Sequence, residues 1–391
     1  MKKIRILSLV LALVLCFGLL AGCGEKDNAN NANNGGETDA AAVSLGLTGP
    51  LTGPYAIYGQ AAANGAQIAV DEINAKGGMQ FTFRAEDDEG DGEIAVNAYN
   101  KLMDDGMQIL VGTVTSGACI AVAAETYADR VFTLTPSASS ADVTAGNDNV
   151  FQVCFSDPNQ GSGSAVYMAN NMADAKIAII YRNDDAYSQG IRDTFVTKAE
   201  ELKLNVVYQG TFTEDTQTDF SVQLTAAQSA GADLLFLPIY YQPASVILAQ
   251  AKQMGYAPTY FGVDGMDGIL TMENFDTSLA EGVMLLTPFS ADAADELTQN
   301  FVKTYQDKHG EVPNQFAADG YDAVYVVYNA LTEAGCTADM SAEEICEKLI
   351  AVMPTIEYTG LTGQGLTWNA EGEVSKDPMA VVIKDGVYVT P

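Results

Sequence analysis

The sequence predicts an α/β protein with two parallel-sheet lobes, and three observations lead there. From Val43 onward, short β-branched or apolar runs alternate with helical patterns of ten to nineteen residues, the rhythm of parallel strands joined by crossover helices. Roughly 350 residues run from there to Pro391, more than a single hydrophobic core comfortably serves. After about Pro288 the pattern changes to consecutive helices and then short strands, which extends neither sheet simply. That late stretch is expected to return to the first lobe and then to the second.

Strands are predicted at Val43 to Leu47, Phe81 to Ala85, Ile109 to Val111, Val131 to Leu134, Ile177 to Tyr181, Val206 to Gly210, Leu234 to Leu237, Thr259 to Gly262 and Gly282 to Leu286. Between them, apolar residues recur at spacings of three and four: Ala62, Ala66, Ala69, Val70 and Ile73, then Ile191, Phe195, Ala199 and Leu202, then Ala244, Ile247, Leu248 and Ala251. That period is helical. The late helices are predicted over Ala291 to Lys308, Gln315 to Ala334 and Ser341 to Ala351. A second series of strand–helix units opens near Asp157-Pro158-Asn159-Gln160, where turn residues follow Phe151-Gln152-Val153. The organisation is therefore 43–157 with 290–362 for the first lobe, and 158–289 with 363–391 for the second.

Ahead of them, Met1-Lys2-Lys3-Ile4-Arg5 precedes an apolar stretch from Ile6 to Leu20 and the quartet Leu20-Ala21-Gly22-Cys23. A cationic start and an apolar core make an export signal over 1–22, and the core is shorter than the roughly twenty residues that span a bilayer. The quartet resembles the bacterial lipoprotein box, which implies cleavage before Cys23 and a lipid on its thiol. Residues 23–42, rich in Asn, Gly and Ala, read as a flexible tether that holds an extracytoplasmic body at the cell membrane.

Nineteen Lys and Arg face fifty-one Asp and Glu, a net charge of −32. Removing the three basic residues of the signal brings it to about −35, which argues against a nucleic-acid partner and for a soluble surface protein. Cys119, Cys154, Cys336 and Cys346 match no metal spacing, and their pairing is left open. A single His309, in polar surroundings, argues against His-ligated metals and Ser-His-Asp catalysis.

In open parallel sheets, ligands meet the carboxyl ends of strands, where helix N-termini offer free N–H groups. After Val111 comes Gly112-Thr113-Val114-Thr115-Ser116-Gly117, and after Leu134 comes Thr135-Pro136-Ser137-Ala138-Ser139-Ser140. Both are hydroxyl-rich strand ends suited to a carboxylate, although Thr115 or Ser116 as a simple helix cap is an equally good reading. Tyr55 and Tyr58, Tyr187, and Tyr240 and Tyr241 follow three other strands and suit the wall of a pocket or the face of an ammonium. Asp264 follows a further strand and suits the ammonium directly, with an Asx turn as the plainer reading. The run Glu86-Asp87-Asp88-Glu89, with Asp91, reads as capping plus solvated charge.

Taken in order, "LTGPYAIYGQAAANGAQIAVDEINAKGG", "VGTVTSGAC", "LTPSASSADVT", "SDPNQG", "DDAYSQG", "TDFSVQLTAAQSAGADLLFLPIYYQPA" and "ADGYDAVYVVYNAL" resemble the leucine/isoleucine/valine-binding receptors of amino-acid ABC transporters. The resemblance spans Val43 to about Val389. It implies the type I periplasmic-binding-protein fold, with two Rossmann-like lobes joined by three crossovers that act as a hinge. It also implies that Ser116, Ser137, Ala138 and Ser139 hold a ligand carboxylate, that Asp264 takes its ammonium, and that Tyr58, Tyr187 and Tyr240 line the closed cleft. Two positions depart from the family pattern: Asp264 stands where Glu is frequent, and Gln152 where Arg is common. The implied activity is capture of an amino acid, branched-chain or similar, by a monomer that delivers it to ABC permease subunits, with no cofactor and no catalytic group. The rival readings are a surface sensor for an amide, urea-like or aromatic-acid solute, and a secreted enzyme, for which no strand end shows a nucleophile with an orienting base.

Overall fold

In the computed structural model, which describes residues 41–391, two sheets grow from the same strand–helix repeat. The first runs through β1 (Ala42–Gly49), α1 (Ala56–Lys76), β2 (Gln80–Asp87), α2 (Gly92–Asp104), β3 (Ile109–Leu110), α3 (Ser116–Asp129), β4 (Phe132–Thr135) and β5 (Val150–Gln152). Its strands are ordered β2-β1-β3-β4-β5 and all pair in parallel. The second run comprises α4 (Asp157–Asn171), β6 (Lys176–Arg182), α5 (Ala186–Leu202), β7 (Asn205–Phe212), α6 (Ser221–Ser229), β8 (Leu234–Leu237), α7 (Tyr241–Gln253), β9 (Thr259–Gly262) and β10 (Met284–Thr287). Then follow α8 (Glu296–His309), α9 (Gln315–Glu333), α10 (Ala342–Val352), a small antiparallel pair of β11 (Glu357–Tyr358) with β12 (Leu366–Thr367), β13 (Met379–Lys384) and β14 (Val387–Val389).

The second sheet is ordered β7-β6-β8-β9-β10-β13-β14, parallel up to β10 and closed by the antiparallel hairpin β13–β14. Both parallel parts share one winding, so each has a point where strand order reverses: between β1 and β3, and between β6 and β8. Crevices open at the carboxyl ends of strands at such points.

The strands are nearly continuous apolar runs because both faces are covered; Leu234–Leu237, for example, is buried at every residue. On the first sheet, α1 and α9 pack backbone to backbone. A Cβ on Gly65 would stand 1.8 Å from the Ala317 carbonyl oxygen, and one on Gly320 would stand 2.2 Å from that of Ala62. Only glycine at both places permits that approach.

Local chemistry sets several boundaries. Asp91 caps α2 through the Glu93 and Ile94 amides, and Ser341 with Glu344 forms a capping box for α10. The predicted helix from Ala291 starts instead at Glu296, because the Asp295 carboxylate takes the Thr298 amide and fixes the cap there. Val150–Gln152, anticipated only as an approach to a turn, is an edge strand of the first sheet. Asp88 departs from the solvated acidic run: it is fully buried, and burial pushes its carboxyl up to about 7.

The chain passes between the sheets three times: after β5, after β10 and before β13. The first and third passages touch. Trp368 donates its indole N–H to the Gln152 carbonyl at 2.7 Å, and the Gln152 amide donates to the Gly372 carbonyl at 2.9 Å. Residues 366–375 therefore lie along β5, and the chain joins the second sheet at Met379.

Among the described residues no helix is long and apolar enough to cross a membrane, and no cluster of His, Cys, Asp and Glu suits a metal. Cys119, Cys154, Cys336 and Cys346 are free and buried. The predicted signal, Cys23 and residues 24–40 of the tether lie outside the described residues, and Ala42, placed in the tether, is instead the first residue of β1.

Candidate functional site

The carboxyl ends of β1, β3 and β4 face those of β6, β8 and β9, and six of the eight predicted site residues meet between them. Tyr58, Ser116, Ser137, Tyr187, Tyr240 and Asp264 line one cavity together with Val114, Thr115, Gly265 and Phe316. Its volume is about 10 Å³, roughly the least that admits a single water. The two sides are shut onto each other. Ala138 and Ser139, the other two predicted residues, are fully buried outside that lining.

Tyrosines make the closure. The Tyr58 hydroxyl, carried on α1, donates to the Gly265 carbonyl and accepts the Tyr241 amide at 3.1 Å. Tyr241 donates to the Pro54 carbonyl at 2.7 Å, and Arg182 reaches the Tyr55 hydroxyl at 3.2 Å. Each bond ties an element of one sheet to the other. Rings fill the space between: Tyr58 packs on Phe316 at 4.4 Å and on Tyr241 at 4.9 Å, and Tyr187 stacks on Tyr240 at 4.7 Å. Burial holds the Tyr58, Tyr187 and Tyr240 hydroxyls well above their ordinary range, so all three stay protonated.

One wall is acidic. Asp264 opens a short 3-10 turn after β9 and is buried; Tyr187 donates to its carboxylate at 2.5 Å and Gln160 accepts its amide at 3.2 Å. Burial raises the Asp264 carboxyl to about 6, against the lowering effect of the Tyr187 and Gln160 contacts. Asp157, at the start of α4, is a second buried acid. Burial raises it well above the carboxylate range, and Asp264 adds to the rise. The Ser139 hydroxyl is its polar neighbour, yet neither group completes a well-aligned bond.

The opposite wall is neutral and donor-rich. Ser116 begins α3, whose N-terminus carries positive partial charge, and the Thr115 hydroxyl is buried without a partner. Thr115 precedes the helix without capping it. The Ser137 and Ala138 amides both point at the Thr135 hydroxyl, at 3.3 and 2.9 Å. Gln152 donates to the carbonyls of Ala138 at 2.8 Å and Ser140 at 3.1 Å, so it braces this loop from behind. No Lys or Arg lines the cavity. Any anion here rests on hydroxyls and helix amides, with Thr115 the free donor.

Thr115 has only a cap candidacy in the sequence, and Gln160 and Phe316 carry no site signal there. The motif around Thr115 names it, but the choice between capping and facing the cleft is made by tertiary packing. Phe316 arrives at the start of a helix more than fifty residues beyond Asp264, and nothing in its neighbourhood marks it.

The periplasmic binding protein family matches residues 42–386. This chain belongs to that family. Among its relatives is the Leu/Ile/Val-binding protein BraC3 of Rhizobium johnstonii, 31% identical over 311 residues, which cover 77% of this chain and 82% of the relative. The leucine-, isoleucine-, valine-, threonine- and alanine-binding protein of Pseudomonas aeruginosa is 28% identical over 79% of this chain and 82% of its own. Among solved structures, the leucine-binding protein LivK of Thermotoga maritima superposes with a TM-score of 0.80 at 27% identity, over 90% of this chain and 98% of that one. LivJ of Streptococcus pneumoniae, a branched-chain amino acid transporter binding protein in complex with isoleucine, gives 0.78 at 29%, over 90% and 100%. The family and these relatives are solute-binding proteins of type I fold. Membership in a periplasmic family places the folded body outside the cytoplasm.

Proposed function

We propose that this chain is the receptor of an ABC importer and captures an amino acid, branched-chain or similar, between its two lobes for delivery to the permease. The observation that carries the reading is the pairing of opposite walls. The Asp264 carboxylate with the Tyr187 and Tyr240 rings suits an ammonium, while the Thr115 and Ser116 hydroxyls at the α3 N-terminus suit a carboxylate. A solute that touches both walls adds its own contacts to the tyrosine bonds that close the lobes, and the permease reads the closed form. The names of the relatives support branched-chain amino acids as first candidates.

In this reading 43–157 with 290–362 and 158–289 with 363–391 move as the two lobes about the three crossovers. The Ser137–Ser139 loop backs the carboxylate wall, and Cys23 carries the lipid that holds a monomeric receptor at the membrane. Calorimetry and thermal shift across a panel of amino acids test it. Saturation at a hundred times Kd stabilises the folded state by about 2.7 kcal/mol. No heat and no shift with any amino acid sinks the proposal.

A further inference from the structure

A second cavity, of about 440 Å³, lies where the chain passes between the sheets after β10. Apolar side chains dominate its walls: Leu270, Leu285, Phe289, Val302, Pro313 and Val387. That size and lining suit a small organic molecule. Two carboxylates, Asp267 and Asp292, line it with no Lys, Arg or His, in a chain of net charge −32. An anion is repelled from such a space and a cation attracted. The zwitterion suited to the tyrosine cleft would bring its carboxylate against these acids; its counterpart without the carboxylate, an amine, would not.

The cavity is joined to both lobes and to the cleft. Its β10 and β14 residues belong to the second sheet, whereas Val302 stands on α8 and Asn314 at the entry to α9. The buried Asp267 carboxylate accepts the Gly268 amide and the Gln315 amide, each at 2.8 Å, and meets the Tyr388 hydroxyl, whereas Asp292 is exposed and accepts the Ser290 hydroxyl. Gly268 lies four residues from Asp264, and Gln315 is next to Phe316, so two short segments form walls of both spaces.

We infer that this cavity is a second ligand site, one that takes a small apolar monoamine and, by bridging the two lobes, strengthens amino-acid capture in the cleft. The amine's apolar body fills the aliphatic walls and its ammonium faces Asp292 at the exposed rim, while the buried Asp267, whose oxygens already have partners, adds negative charge behind it. Because it touches both lobes as they stand closed, it favours closure, and linkage makes the effect reciprocal.

The test uses 3-methylbutylamine and 2-phenylethylamine as probes, with thermal shift and calorimetry on the lipid-free chain. Both amines bind the parent protein and the Asp264→Ala variant alike, and each raises amino-acid affinity severalfold in the parent. Val387→Trp, at a half-exposed strand edge, fills the mouth; it cuts amine affinity at least tenfold and leaves amino-acid affinity in the absence of amine unchanged. Asp292→Asn weakens the amines severalfold. The inference is overturned if the amines fail to bind at millimolar concentration, if Asp264→Ala abolishes their binding, or if the matching carboxylic acids bind as well. Amino-acid binding measured in the same samples separates that failure from a failure of the transport reading.

Discussion

Tyr187 donates its hydroxyl to the Asp264 carboxylate at 2.5 Å, and both side chains are fully enclosed. The same hydroxyl accepts the Gly265 amide at 2.9 Å, so the residue that aims the acid also fixes the turn that carries it. In the proposed reading, an acid held in this way is pre-organised for the ligand ammonium. Asp264→Ala is expected to weaken amino-acid binding by about 2–4 kcal/mol, with Tyr187→Phe losing less because the carboxylate remains. Calorimetry on the two variants decides it. Unchanged affinity in Asp264→Ala would remove this residue from the site.

Acidity is the second consequence of that enclosure. With its carboxyl raised to about 6, Asp264 must lose a proton before it can pair with an ammonium. Amino-acid affinity is therefore expected to fall as the pH drops below about 6, and Asp264→Asn should flatten that profile. A titration that falls equally in the parent and the variant would assign the effect elsewhere.

Stability should run the opposite way. Asp264, Asp88 and Asp319 are raised to about 6, 7 and 7, each chiefly by burial, and burial also holds Asp157 well above the usual carboxylate range. A carboxyl whose pKa rises on folding favours the folded state most below its unfolded value, about 3.9. That contribution is lost as the pH climbs to the folded value. Repulsion within a chain of net charge −32 adds the same sign. The melting temperature should be several degrees higher at pH 5 than at pH 8, as scanning calorimetry would show.

Much of this architecture is legible in the sequence because buried parallel strands leave a composition signal. Leu234–Leu237 and Thr259–Gly262 are strands where their apolar runs place them. The sequence is weaker where one polar residue decides. Asp295, rather than hydrophobic periodicity, sets the start of α8. Strand ends point to Tyr58, Ser116, Tyr187 and Asp264 because winding brings strand ends together. They are silent about Phe316 and Gln160, which reach the cleft along helices α9 and α4 whose placement is tertiary. Asp88 belongs to an acidic run that reads as solvent-exposed, and only packing reveals its burial.

The single tryptophan offers a direct optical test of hinge motion. Trp368 is buried at the contact of the first and third passages, with its N–H on the Gln152 carbonyl. Lobe rotation must strain or relax that contact. Ligand binding should change the emission of Trp368, and the change should saturate with the calorimetric affinity. An emission spectrum indifferent to a ligand that demonstrably binds would mean that these two passages move as one piece.

Lys376, in the third passage, has its ammonium 3.5 Å from Asp319 on α9 and 2.6 Å from the Thr362 hydroxyl. The two charged side chains are 1% and 0% exposed, and the second Asp319 oxygen has no partner. Such a pair stabilises little in itself, since desolvation offsets attraction, but breaking it strands a charge. Lys376→Met should cost about 3–5 kcal/mol at pH 8. With its charge partner gone, Asp319 is raised still further and takes up a proton more readily, so the cost should shrink at pH 6. Adding Asp319→Leu should recover most of the loss at both pH values, because neither charge is then buried. Urea denaturation of the two variants measures these differences. A double variant no more stable than Lys376→Met would mean that Lys376 acts through packing rather than as the counter-ion of Asp319.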